Sequence, residues 1–395
     1  MKRVYITTFL TCIALLALFF GISRSMDAGG TMNSVTVGFI YESDESAPYS
    51  YNFARAEVML QEELRDSVKI LANNNVPDDA VEDLLRDLSA KGCNIVFTNC
   101  HTELFAELAP SYPDMQICQI SDMEKPPANH PDNYHTFNGE IYQARYVSGV
   151  AAGLKLKEMI DEGVITPEEA VVGYVGSYPV ASVISGYTAF LVGVRSIVPQ
   201  AVMKVKYTNT WASYRVEKLC AMDLIDEGCV VLSQHSDTIG PSIACEEASA
   251  EHPVVFVGCN KSLLDNAPAT ALLSIRINWA PYVIKAVRAV MNHQKIESVV
   301  KGTAHGNDVS AGFEDGALEI LDLNMNIAAK GTQMVIDSTI DIIEEDPAAA
   351  YRGAYKGVDP VDPTDTIDLV NGYIENADSS APSFHYVLED VIQIL

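Results

Sequence analysis

The sequence predicts an α/β protein of two similar lobes, each built on a doubly wound parallel sheet. Three observations carry that expectation. Over residues 171–279, four short apolar runs each end in a small cluster of polar or aromatic residues. A helical pattern follows each of the first three, and strand, polar tip, helix, repeated, is the pattern of parallel strands joined by crossover helices. Residues 35–120 repeat the alternation, and a chain of 395 residues is long enough for two separate cores.

Taken in order, residues 1–33 read as a leader. Lys2 and Arg3 precede an uncharged apolar run over 6–22, then small polar residues, the layout of a secretory signal or an uncleaved membrane anchor. Cys12 lies inside the apolar run rather than after it, so lipidation is not expected. Residues 35–41 form the first strand. A polar loop over 42–52 carries Tyr49 and Tyr51, and a helix follows over 52–64. A strand over 68–72 leads to a helix that Asp78 caps, with Val81, Leu84, Leu85 and Leu88 at helical spacing and Gly92 as its stop. Strands over 94–98 and 115–120 complete this half, the first ending in Asn99-Cys100-His101. Residues 125–138 have no periodicity and read as the approach to a crossover between lobes.

A long helix over 139–159 opens the second half, with Gly149, Ala152 and Gly153 allowing close packing. Strands follow over 171–175, 202–207, 230–233, 254–257 and 271–277, the last crossing back to the first lobe. Pro281 suits the first turn of a helix over 281–291, where a missing N–H costs nothing. A third crossing is expected near 309–316, then a helix over 326–345 and an irregular tail over 351–395 that packs on the second lobe. The lobes are therefore assigned as 34–137 plus 275–310, and 138–274 plus 311–395.

Composition narrows the function. Fifty-three acidic residues against 26 basic ones give a formal charge of −27, which argues against a nucleic-acid partner. Seven of the eight cysteines follow the leader without CxxC spacing and read as buried free thiols. There is no HExxH, no G-x-S-x-G and no Gly-rich phosphate loop, so neither a metal site nor another cofactor is expected. Ser233, His235 and Asp237 alternate along a strand end and are the one arrangement that suggests a hydrolase. A binding protein is the stronger expectation.

Five segments, in order, resemble the basic membrane protein family, the purine nucleoside receptors of ABC transporters. They are Ala144-Arg145-Tyr146-Val147-Ser148-Gly149-Val150-Ala151-Ala152-Gly153, Val172-Gly173-Tyr174-Val175, Val205-Lys206-Tyr207-Thr208-Asn209-Thr210-Trp211, Gln234-His235-Ser236-Asp237 and Asn278-Trp279-Ala280-Pro281-Tyr282. The resemblance runs from about Val35 to Asn326. It implies a type I periplasmic-binding-protein fold, with two Rossmann-like lobes joined by three hinge crossovers and a ligand held between them. It also implies an exported monomer, associated with the membrane through its N-terminus, that serves an ABC permease and its ATPase.

The ligand positions the resemblance implies are Ser46, Tyr49, Asn99, Tyr178, Trp211, Asp237 and Asn260. Tyr49, Tyr178 and Trp211 suit the faces of a base, each stack being worth roughly 1–3 kcal/mol. Asp237 suits ribose hydroxyls, although it also suits a cap on the helix that follows it. Asn99 and Asn260 both donate and accept, as a base edge requires. Asn260 and Ser46 stand where many members carry Asp or a similar polar group. The expected function is uptake of a purine nucleoside or nucleobase; the alternative is a surface sensor with the same fold and another small ligand. Trp279 is expected to pack at the hinge.

Overall fold

The computed structural model describes residues 31–121 and 131–395. The leader expected at 1–33 lies almost wholly outside the described residues, as does the first part of the stretch 125–138. No helix among the described residues is long and apolar enough to cross a membrane.

The chain begins with β1 (Val35–Ile40), α1 (Pro48–Leu64), β2 (Val68–Asn73), α2 (Val81–Ala90), β3 (Ile95–Thr98), α3 (Leu104–Leu108), β4 (Gln116–Ile120) and β5 (Tyr134–Gly139). It continues through α4 (Ile141–Asp161), β6 (Val171–Gly176), α5 (Ala181–Ile197), β7 (Val202–Tyr207), α6 (Tyr214–Asp226), β8 (Val231–His235), α7 (Gly240–Ala248), β9 (Val255–Cys259) and β10 (Ala271–Ile277). Next come α8 (Ala280–Met291), β11 (Thr303–His305), β12 (Asp308–Ala311), β13 (Leu318–Leu321) and α9 (Thr332–Glu345). The tail adds β14 (Lys356–Val358), β15 (Thr366–Asp368), β16 (Val387–Leu388) and β17 (Ile392–Ile394).

Two seven-stranded sheets result, in the orders β11-β12-β5-β4-β3-β1-β2 and β13-β10-β9-β8-β6-β7-β17. Within these two sheets, among the described residues, only the edge strands β11 and β13 pair antiparallel. The strand order reverses between β1 and β3 in one sheet and between β6 and β8 in the other, which leaves a crevice beyond their carboxyl ends. Three connections join the sheets: β5 to α4, β10 to α8, and β12 to β13. They are tied together, Glu140 N–H donating to Ala311 O at 2.9 Å and Asn278 N–H to Ala317 O at 2.7 Å.

Central strands read as apolar runs because helices cover both faces of each sheet. Val37, Phe39, Val172, Tyr174, Val231 and Leu232 are all fully buried. In the second lobe α4 and α5 cross at backbone contact. A Cβ at Gly149 would lie 2.1 Å from Phe190 O, and one at Gly193 2.2 Å from Tyr146 O, so only glycine allows this approach. The seven described cysteines are free thiols, six of them buried.

Several local expectations are corrected. The first helix starts at Pro48 rather than at 52, because Pro48 is already set for a first helical turn. Tyr49 and Tyr51 therefore stand on α1, not on a loop. Asp78 makes no cap bond and sits in a short 3-10 turn before α2. The last part of the aperiodic stretch is the fully buried strand β5, whose polar side chains find distant partners: His135 meets Glu297 and Gln116, and Thr136 donates to Asp308 at 2.8 Å. The helix expected over 326–345 begins only at Thr332, after Gly331 in the left-handed region. The tail is not wholly irregular, since β17 extends the second lobe's sheet beside β7.

Candidate functional site

Both crevices open onto one cavity between the sheets, of about 320 Å³. The first lobe contributes Tyr49 from the first turn of α1 and His101 from just beyond β3. The second contributes Trp211 beyond β7, Asp237 beyond β8, Asn260 beyond β9 and Arg145 from α4. Trp279, from the second crossing, and Pro382, from the tail, also line it.

The rings lie in nearly parallel planes. Tyr49 and His101 are 6.1 Å apart at 16°, and His101 and Trp211, from opposite lobes, are 6.5 Å apart at 20°. Tyr178 backs Trp211 at 5.3 Å without lining the cavity itself. At the rim, Lys261 Nζ of the second lobe sits 5.0 Å from the centre of the Tyr51 ring of the first. His101 Nε2 lies 3.4 Å from Glu42 Oε2.

Asp237 joins the two lobes directly. Its Oδ1 accepts the Tyr49 N–H at 2.8 Å. That N–H is one of the first-turn donors of α1 that have no partner within the helix, and Ala47 has no side chain to cap it. The carboxylate thus caps a helix of the facing lobe rather than the helix that follows it in sequence. Burial, aided by Glu217 and Glu42 nearby, pushes the Asp237 carboxyl up to about 7, against the pull of the Tyr49 N–H and the Asn260 side chain.

The loop that carries Asp237 is held from below. Glu217, wholly buried on α6, accepts from Ser236 Oγ at 2.8 Å, from Thr238 N–H at 3.0 Å and from Thr238 Oγ1 at 2.7 Å. Its other oxygen accepts the Ser213 N–H at 2.8 Å. Gln234 Nε2 donates to the carbonyls of Ser236 and Thr238, and the Asp237 N–H donates to Trp211 O at 2.8 Å. One buried carboxyl therefore fixes the loops of both Trp211 and Asp237. Asn260 adopts φ 65°, a left-handed conformation that asparagine tolerates better than most residues.

Of the residues singled out from the sequence, Tyr49, Trp211, Asp237 and Asn260 meet at the cavity, and Ser46, Asn99 and Tyr178 do not line it. Asn99 is fully buried and braces the loop after β1, accepting from Glu42 N–H at 3.0 Å and donating to Ser50 Oγ at 3.3 Å. Ser46 is exposed, and its N–H closes a turn on Asp44 Oδ1 at 2.8 Å. Ser233 is buried in the sheet and donates to Val257 O at 2.9 Å, so it does not converge with His235 and Asp237 as a hydrolase would need. Trp279 packs edge-on against Phe53 and Phe137 at the second crossing while bordering the cavity.

Sequence reasoning missed Arg145, His101 and Pro382. Arg145 carried one available signal, a charge within a helix face otherwise made of small and apolar residues. Its guanidinium is 5.6 Å from the centre of the Tyr174 ring and wholly buried, and among the described residues none of its nitrogens has a hydrogen-bond partner. Pro382 reaches the cavity because the tail is fastened at two points. Glu375 accepts from Ser185 Oγ and Tyr351 OH, both at 2.7 Å, on the second lobe. The Ser380 N–H donates to Asp308 Oδ2 at 2.7 Å on the first, and its hydroxyl bonds Asp308 and Ser121.

Residues 35–348 match the Bmp family, described as ABC transporter substrate-binding protein PnrA-like. A purine-binding protein of Brucella abortus is 27% identical over 290 residues, covering 72% of this chain and 74% of that protein. A Haloferax volcanii protein named as an ABC transporter glucose-binding protein is 24% identical over 252 residues, 62% of this chain and 58% of its own length. Among solved structures, an ABC transporter solute-binding protein of Aeropyrum pernix superposes with a TM-score of 0.60 at 17% identity, covering 79% of this chain and 86% of that one. A transcriptional activator of Bacillus halodurans does so with 0.61 at 16% identity, covering 79% and 98%. At these identities the two structures show a shared fold and nothing about the ligand.

Proposed function

The chain belongs to this family of ABC transporter substrate-binding proteins, and from that premise we propose that it captures a purine, as nucleoside or free base, between its lobes. Outside the cytoplasm, and held near the membrane by its N-terminal segment, it would work as a monomer that hands the purine to an ABC permease and its ATPase. It binds and releases without turnover. The observation that carries the ligand assignment is the tier of near-parallel rings from Tyr49, His101 and Trp211, which belong to both lobes and border one cavity. Flat faces suit a heterocycle, and Asp237 and Asn260 supply hydrogen-bonding groups at its rim. The name of the Brucella abortus relative points the same way.

The test is isothermal titration of the purified chain with adenosine, inosine, guanosine, their free bases and glucose. Saturable one-to-one binding of at least one purine is expected, weakened roughly 5- to 150-fold in Trp211→Ala if one stack is lost. Glucose binding with no heat from any purine would overturn the assignment and leave the fold untouched.

A further inference from the structure

We propose that Arg145 selects the ligand and that it favours 6-oxopurines, the hypoxanthine and guanine type, over 6-aminopurines of the adenine type. The inference rests on the purine reading above and adds the substrate class. Arg145, on α4, borders the cavity, is wholly buried, and has no acceptor among the described residues for Nε, Nη1 or Nη2. A guanidinium carries five N–H donors, has no acceptor atom and does not lose its proton. Burying one without acceptors is unfavourable for folding. Tyr174 meets that cost only in part, through the face of its ring.

Other polar atoms pack closely around this group. A Cβ at Gly186 would lie 3.2 Å from both Tyr174 Oη and His235 Nδ1 and 3.5 Å from Arg145 Nε, so polar atoms from three elements converge where the chain has no side chain. The Tyr174 hydroxyl likewise has no hydrogen-bond partner among the described residues. Elsewhere the cavity offers the Asp237 carboxyl and the Asn260 amide. The site therefore combines a donor-only group with groups that accept.

A 6-oxopurine answers both. Its O6 and N7 are adjacent acceptors with the spacing of a guanidinium fork, and its N1–H is a donor beside them. A 6-aminopurine places an N–H donor where O6 would be, so donor would face donor. A sugar's neighbouring hydroxyls also accept from such a fork, and the glucose titration described above separates that case.

The experiment compares hypoxanthine, guanine, inosine and guanosine with adenine and adenosine by titration calorimetry on the wild-type chain. The 6-oxopurines should bind roughly 10- to 100-fold more tightly. Arg145→Met keeps much of the side-chain volume and removes the donors. It should erase that ratio while the ligand-free protein melts no lower than the wild type, because an uncompensated buried charge is gone. Arg145→Lys, which keeps the charge without the fork, should hold only part of the ratio. Tighter binding of adenine or adenosine would overturn the inference and leave the purine reading standing. A ratio unchanged in Arg145→Lys would show that another group selects, even if Arg145→Met failed to fold. Absence of binding by every purine would defeat the purine reading and this inference with it.

Discussion

Asp237→Asn should change how readily the lobes close without ligand, and in a pH-dependent way. With the two lobes in contact, Asp237 accepts the Tyr49 N–H of the facing lobe, yet burial raises its carboxyl from the usual 3.8 to about 7. When the lobes part, Asp237 regains water and titrates nearer its usual value. Closure therefore takes up a proton. Its advantage is fully present below about pH 4 and is lost as pH rises to about 7. Each pH unit in that interval is worth about 1.4 kcal/mol, so the ionised carboxyl opposes closure by at most about 4 kcal/mol at pH 8. Asp237 keeps some surface open to the cavity, which brings the figure nearer to about 2 kcal/mol through solvent screening. Asparagine keeps the acceptor oxygen for the Tyr49 N–H and carries no charge. The ligand-free variant should be more closed than the wild type at pH 8 and insensitive to pH. Energy transfer between fluorophores on the two lobes, followed from pH 5 to 8, reads this directly. Parallel pH profiles for wild type and variant would refute the reasoning.

Other outcomes follow from single contacts. Gly149→Ala forces a methyl group to within 2.1 Å of Phe190 O and should cost about 3 kcal/mol in urea unfolding; an unchanged midpoint would show that α4 and α5 can separate freely. Glu217→Ala leaves the Ser213 and Thr238 N–H groups and two hydroxyls without their acceptor. It should cost about 3–5 kcal/mol of stability, and ligand affinity should fall even where the variant is folded, as calorimetry below its melting temperature would reveal. Glu375, enclosed by the tail and raised by burial from 4.5 to about 7, lends stability that is fully present below its usual value and lost as pH rises through 7. Hydrogen exchange over residues 375–388 should therefore be faster at pH 8 than at pH 6 once corrected for intrinsic rates.

By itself the sequence determined the two-lobe α/β architecture. The strands β7 and β10 were legible to the residue, because strands buried on both faces read as short apolar runs and glycine, proline and polar clusters mark their ends. The tips that carry Trp211, Asp237 and Asn260 were legible for the same reason, since a doubly wound sheet gathers its strand ends at one crevice. What local pattern cannot express is which distant group satisfies a polar one. β5 was missed because His135 and Thr136 look exposed until Glu297 and Asp308, 162 and 172 residues away, are seen to meet them. Asn99 and His101 are two residues apart with similar polar character, and only the packing makes one a buried brace and the other part of the cleft. Asp237 could be placed at the crevice, but the helix it caps belongs to the other lobe. Arg145 reads as one charge on a long helix until tertiary structure buries it with no acceptor for its nitrogens. Periodicity and turn chemistry act over a few residues, whereas burial and hydrogen-bond satisfaction are settled between segments that only the folded chain brings together.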